Sequence, residues 1–147
     1  MTKEGEGGSE EGAGRSARRA RAACRRPLFI VAAPRSGSTL LFETLARSQA
    51  LCTVGGEAIR LVEGLAELRP GAGGVESNRL TEADATDAYR QHMIDQIMER
   101  LVDHEGSGAW PGTGPLVFLE KDAEERPSHF PSSASLFPEA RFIFSLA

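Results

Sequence analysis

The chain has 147 residues, which at about 100–200 residues per domain predicts a single folded domain. Its 17 Lys and Arg against 21 Asp and Glu give a net charge of −4, which excludes a uniformly basic nucleic-acid-binding protein. No apolar run reaches the roughly 18 residues that a membrane-spanning helix needs.

The first 26 residues differ in composition from the rest of the chain. They are rich in Gly, Glu and Arg and poor in apolar side chains, which predicts a disordered charged tail before a domain over residues 27–147. A weak anion-binding arm is the alternative interpretation of this tail. The two cysteines, Cys24 and Cys52, fit neither a disulfide scaffold nor a zinc module. They suit a reducing compartment, and we expect a cytoplasmic protein.

Beyond the tail, short apolar runs alternate with helical patterns. The apolar runs predict buried strands over residues 27–33, 51–54, 116–119 and 140–146. Helical spacing predicts helices over 37–48 and 57–68, a longer one that begins at Thr81, and a short one within 127–137. This alternation predicts an α/β fold with a central parallel sheet.

The longer helix carries an apolar stripe that we interpret as core packing. Its members lie four residues apart: Tyr89, Met93, Ile97 and Leu101. His92 and His104 flank the stripe, but no second ligand stands at a metal-binding spacing, so no metal site is expected.

The candidate chemistry lies in the loop between the first predicted strand and the helix after it, Pro34-Arg35-Ser36-Gly37-Ser38-Thr39. Ligands of parallel sheets bind at the carboxyl ends of strands, and a helix N-terminus attracts anions. Gly37 lets the backbone approach an anion closely, Arg35 adds a planar cation, and the hydroxyl groups add donors. The loop therefore predicts a cradle for phosphate or sulfonate. A simple strand–helix turn with capping serines is the alternative.

The loop matches the P-loop of nucleoside triphosphatases poorly. Aligned on Gly37, Ala32 stands where that motif has its first glycine, and Ser38 stands where it has its lysine. A P-loop nucleotide kinase or another phosphotransferase stays open as an alternative.

Residues 29–41 resemble the 5′-phosphosulfate loop of sulfotransferases that use 3′-phosphoadenosine 5′-phosphosulfate (PAPS). The resemblance is to the PRSG[ST]T branch, which includes tyrosylprotein sulfotransferases and many bacterial members. It implies a P-loop-like three-layer sandwich and PAPS as the sulfonate donor. It also implies that Arg35 contacts the bridging and sulfonate oxygens. Backbone and hydroxyl donors would come from Ser36, Gly37, Ser38, Thr39 and Leu40.

Two further stretches resemble this family. Residues 52–60 contain a Gly-Glu pair that matches Glu57 to the catalytic base, and Lys121 matches a lysine near the sulfonate. An exposed glutamate at a helix N-terminus and a solvated lysine are the alternatives. Ala123 stands where relatives have a proline.

Residues 136–144 resemble the strand that precedes the 3′-phosphate site, and the arginine and serine of that site would follow residue 147. The resemblance therefore implies the N-terminal half of a truncated domain, with weak or no activity in this chain. It also implies transfer to a hydroxyl or amine of a small-molecule or peptide acceptor. Nothing in the sequence requires a metal, and from its charge and its apolar runs we expect neither a nucleic-acid nor a membrane partner. A non-catalytic nucleotide-binding fragment is the remaining alternative.

Overall fold

The computed structural model of the chain describes residues 7–33, 35–55, 85–108, 114–121 and 134–145. Its helices and strands follow the order α1 (Gly7–Ala23), β1 (Leu28–Ala32), α2 (Ser38–Ala46), β2 (Leu51–Cys52), α3 (Asp87–Arg100), β3 (Val117–Lys121) and β4 (Arg141–Ser145). Residues 134–136 add one helical turn. Within these ranges no helix is long and apolar enough to cross a membrane.

The four strands form one sheet in the order β2-β3-β1-β4, and every pairing is parallel. β1 lies inside the sheet, where Leu28 is in register with Leu119 of β3 and with Arg141 of β4. A strand with neighbours on both sides and layers above and below must be apolar throughout, which is why its sequence shows no polar alternation. The parallel α/β sheet predicted from the sequence is confirmed.

Helices cover both faces of the sheet. Successive strand residues point to opposite faces, so Phe29 and Ile30 of β1 enter different layers. Phe29 belongs to the main core, whose other buried members include Ala20, Ala23, Cys24, Cys52, Tyr89, Ile97, Leu101, Phe118, Leu136 and Phe137. Ile30 and Leu119 are fully buried outside that cluster, and α2 lies against β1 and β3. The fold therefore has three layers. The sheet lies in the middle, with α1 and α3 on one face and α2 on the other.

The N-terminal segment differs from the disordered tail that its composition predicts. Residues 7–23 form α1, whose buried face presents Ala20 and Ala23 to the core. Alanine has the highest helix propensity and loses no side-chain entropy, so a helix with small residues on one face packs closely despite its arginines. After α1, Arg25 and Arg26 bind the Glu139 carboxylate at 3.0 and 2.8 Å.

Several element boundaries also differ from those expected. The helix with the apolar stripe begins at Asp87, because Thr86 is extended and its Oγ1 accepts a hydrogen bond from the Tyr89 N–H at 3.2 Å. Thr81, the expected cap, and the expected helix over 57–68 lie outside the described residues. β2 is only two residues long, and Thr53 instead forms an antiparallel bridge with Val102. β3 extends to Lys121, which becomes its last residue.

Candidate functional site

The site lies where the carboxyl ends of three neighbouring strands meet. Because β1, β3 and β4 are parallel, their carboxyl ends share one edge of the sheet. β1 leads at this edge into the loop before α2, β3 ends at Lys121, and β4 ends at Ser145. The topology therefore brings together three segments that are distant in the sequence.

The loop contains a tight turn with an unusual backbone conformation. The Ser36 N–H donates to the Ala33 carbonyl at 3.2 Å, which closes the turn. Arg35, inside it, has a φ of +63°, the left-handed region that a residue with a Cβ seldom adopts. Such a conformation costs on the order of 1–3 kcal/mol and is concentrated at functional sites. The Ser36 N–H is committed to this turn, so Ser36 offers its hydroxyl group to a ligand.

Gly37 follows the turn and is the N-cap of α2. Its φ of +78° and ψ of +15° lie in the left-handed region, which glycine adopts without steric cost. As a glycine it supplies no side-chain cap, and the first hydrogen bond of the helix runs from the Leu41 N–H to the Gly37 carbonyl at 3.1 Å. The first N–H groups of any helix have no acceptor within the helix. A Cβ added at Gly37 would meet no atom of the described residues within 4 Å, so these residues leave space beside this terminus.

A lysine from β3 reaches the first turn of α2. Lys121 Nζ donates a hydrogen bond to Thr39 Oγ1 at 3.1 Å, although 82 residues separate them in the sequence. The preceding residue, Glu120, is buried and points to the opposite face of the sheet. The ammonium group therefore adds positive charge where the helix dipole already favours an anion.

Two observations test whether these residues fit an anionic group. Ser36 Oγ is buried and has no hydrogen-bond partner among the described residues, which is uncommon for a buried hydroxyl. Arg35 is exposed at the mouth of the same loop. An unused hydroxyl, an open helix N-terminus and two cations match the donor set that phosphate or sulfonate oxygens require.

The residues predicted from the sequence fall into two groups. Those of the loop and of the first turn of α2 lie together: Arg35, Ser36, Gly37, Ser38, Thr39 and Leu40. Ser38 is buried, whereas the Leu40 side chain is exposed, and the Leu40 N–H is one of the first N–H groups of α2. Lys121 joins this group through Thr39. Glu57 lies outside the described residues.

Ser145, at the end of β4, also contacts the loop, although it is not among the residues predicted from the sequence. Its Oγ–H donates to the Ser36 carbonyl at 3.3 Å, and its own carbonyl accepts from the Ala33 N–H at 3.2 Å. A serine at the carboxyl end of an otherwise largely apolar strand was the available signal, since that edge of a parallel sheet is where ligands bind.

Comparison with known families agrees with this arrangement. The model of the sulfotransferase family matches residues 27–146, a range that contains the loop, Lys121 and Ser145. The chain belongs to the sulfotransferase family, so sulfonate transfer is its general class of reaction. Neither a curated protein nor a solved structure matched the chain.

Proposed function

We propose that this protein binds PAPS and transfers its sulfonate group to a hydroxyl or amine of a small-molecule or peptide acceptor. The observation that carries the proposal is the Lys121 ammonium group at the first turn of α2, whose N-terminus has no side-chain cap and directly follows the loop that contains Arg35. Two cations beside helix N–H groups are suited to a ligand with several negative charges, as a phosphosulfate has.

The loop and the first turn of α2 would hold the 5′-phosphosulfate end of the donor. Gly37 leaves space for the oxygens to approach the backbone, and the Ser36 hydroxyl, which has no partner within the described ranges, supplies a further donor. Arg35 offers a planar fork of N–H groups, which binds two oxygens at once. Its left-handed backbone conformation fixes the direction of the Arg35 Cα–Cβ bond before any ligand arrives.

Bound PAPS supplies an activated sulfonate group, and the protein contributes position and charge. Lys121 and Arg35 stabilise negative charge that develops on the leaving phosphate as the sulfonate departs. Thr39 orients the Lys121 ammonium group through their hydrogen bond. Glu57, assigned by the sequence resemblance, takes the proton of the acceptor hydroxyl or amine.

Calorimetric titration of the 147-residue chain with 3′,5′-bisphosphoadenosine (PAP), the product that PAPS leaves, tests the donor site. Loss of one charge-assisted hydrogen bond weakens binding roughly 10- to 100-fold, so Arg35→Ala and Lys121→Met should each show that loss. Arg47→Ala is the matched control, because Arg47 is an exposed arginine at the opposite end of α2. Its affinity for PAP should equal that of the wild type.

Magnesium-ATP is the competing ligand in the same titration. Tighter binding of Mg-ATP than of PAP, or no binding of PAP at all, would contradict the proposal in favour of a phosphotransferase or of a protein without a nucleotide site. Conversion of PAPS to PAP with phenol and tyrosine-peptide probe acceptors then tests transfer. Glu57→Gln should abolish this conversion and leave PAP affinity unchanged, whereas a loss of PAP affinity would make Glu57 a structural residue.

A further inference from the structure

Ser145 contacts the loop at two separate points. Its Oγ–H donates to the Ser36 carbonyl at 3.3 Å, and its carbonyl accepts from the Ala33 N–H at 3.2 Å. These two loop residues are the first and last of the turn closed by the bond from the Ser36 N–H to the Ala33 carbonyl. One residue of β4 therefore holds both ends of the turn that contains Arg35.

This turn needs external support. Arg35 lies at a φ of +63°, and such a conformation persists only where the surrounding structure enforces it. The register of β4 with β1 pairs Ser145 with Ala32, directly before the turn, so the strand pairing places Ser145 beside it. Without the Ser145 hydroxyl, the Ser36 carbonyl would lose this restraint, and the peptide unit after Ser36 could rotate.

The hydrogen bond to Ser145 also decides the direction of an N–H group. The Ser36 carbonyl and the Gly37 N–H belong to one peptide unit, and in a trans unit these two groups point in opposite directions. With the carbonyl directed to Ser145, the Gly37 N–H is directed away from β4. In the chain it directly precedes the N–H groups at the start of α2.

We propose that Ser145 is a positioning residue for the anion cradle. Through its hydroxyl it holds the Ser36–Gly37 peptide unit and the left-handed Arg35 in the orientation that receives the donor. The inference rests on the proposed function for the identity of the ligand, and its geometric part concerns the turn alone. Ser145 acts through the loop backbone and touches no reacting atom.

Two measurements on the full chain test the inference. In Ser145→Ala, loss of one neutral hydrogen bond should weaken PAP binding about fivefold and should speed amide exchange of Ser36 severalfold by NMR. Ser145→Thr keeps the hydroxyl and should restore both values to within about twofold of the wild type. Ser135→Ala removes an exposed serine hydroxyl that lies before β4, and it should leave both values unchanged.

If Ser145→Ala fails to fold, Ser145→Thr and Ser145→Val replace it as a pair of nearly equal shape that differs by the hydroxyl. Equal PAP affinity and equal Ser36 exchange in that pair, or in Ser145→Ala and the wild type, would overturn the inference and leave the proposed function intact. A wild type that does not bind PAP would instead overturn the proposed function. In that case the amide exchange still decides whether Ser145 holds the turn.

Discussion

At the scale of single residues, the loop alternates strained and permitted backbone conformations. Arg35 and Gly37, two positions apart, both have positive φ, but only glycine adopts such a value at no steric cost. Glycine at position 35 would relieve the strain and remove the cation. An arginine there therefore indicates that its charge matters more to this loop than backbone relaxation does.

Gly37→Ala should lower both stability and ligand affinity. Alanine at a φ of +78° costs about 1–2 kcal/mol, which urea unfolding would measure, and its methyl group enters the space beside the α2 N-terminus. PAP affinity should therefore fall as well. Gly12→Ala is the control with the opposite sign, since Gly12 lies in α1 and no atom in the described part of the chain comes within 4 Å of its Cβ position. There alanine should raise stability by up to about 1 kcal/mol. A stability increase in Gly37→Ala would contradict the described turn.

At the scale of elements, α1 is the largest departure from expectation. Composition predicts disorder for residues 1–26 because charges and glycines are abundant there. Composition ignores periodicity, however, and the small residues of α1 recur on the face that meets α3 and β3. Arg19 connects the same helix to the segment before β3, because its side chain donates a hydrogen bond to the Gly114 carbonyl at 2.7 Å.

Two neighbouring alanines of α1 provide a test of this packing. Ala23 is 1% exposed in the core, whereas Ala22 is exposed to solvent. Ala23→Glu would bury a carboxylate and should lower the free energy of unfolding by roughly 3 kcal/mol or more. Ala22→Glu should change it by no more than about 0.5 kcal/mol. Similar, small effects of both substitutions on urea unfolding would indicate that this segment does not pack on the core.

At the scale of the whole molecule, two cysteines lie in the main core. Cys24 follows α1 and Cys52 ends β2, and both are free and buried. Burial raises the pKa of Cys24 to about 11, and burial together with the nearby Cys24 raises the pKa of Cys52 to about 12. Both thiols are therefore protonated and inert at neutral pH in the folded protein.

The raised thiol pKa values predict a loss of stability in alkali. The thiols have a pKa of about 9 in the unfolded chain. Above pH 9 the unfolded thiols therefore release protons that the folded thiols keep, so the free energy of unfolding must fall as pH rises from 9 towards 11–12. The slope is at most about 1.4 kcal/mol per pH unit for each thiol. Urea unfolding between pH 8 and 11 should show this slope, and the Cys24→Ala, Cys52→Ala double variant should reduce it. An equal slope in both proteins would refute the assignment.

The interior of the domain could be predicted from the sequence in good part. The uninterrupted apolar run that contains Phe29 and Ile30 indicates a strand covered on both faces, and its place inside a parallel sheet confirms that interpretation. The residues at which the helices begin were harder to predict from the sequence. Thr86 caps α3 in the described structure, although Thr81 precedes acidic residues in the same pattern, because a capping signal of one residue recurs by chance.

The sequence by itself determined the strand, the loop and the helix that form the anion cradle, because these depend on neighbouring residues and on local periodicity. Only the tertiary structure decided which distant groups complete that cradle. Lys121 meets Thr39 across 82 residues, and Ser145 meets Ser36 across 109. These contacts follow from the order and register of strands in the sheet. Strand order is a property of the assembled layers, and no local pattern of side chains specifies it.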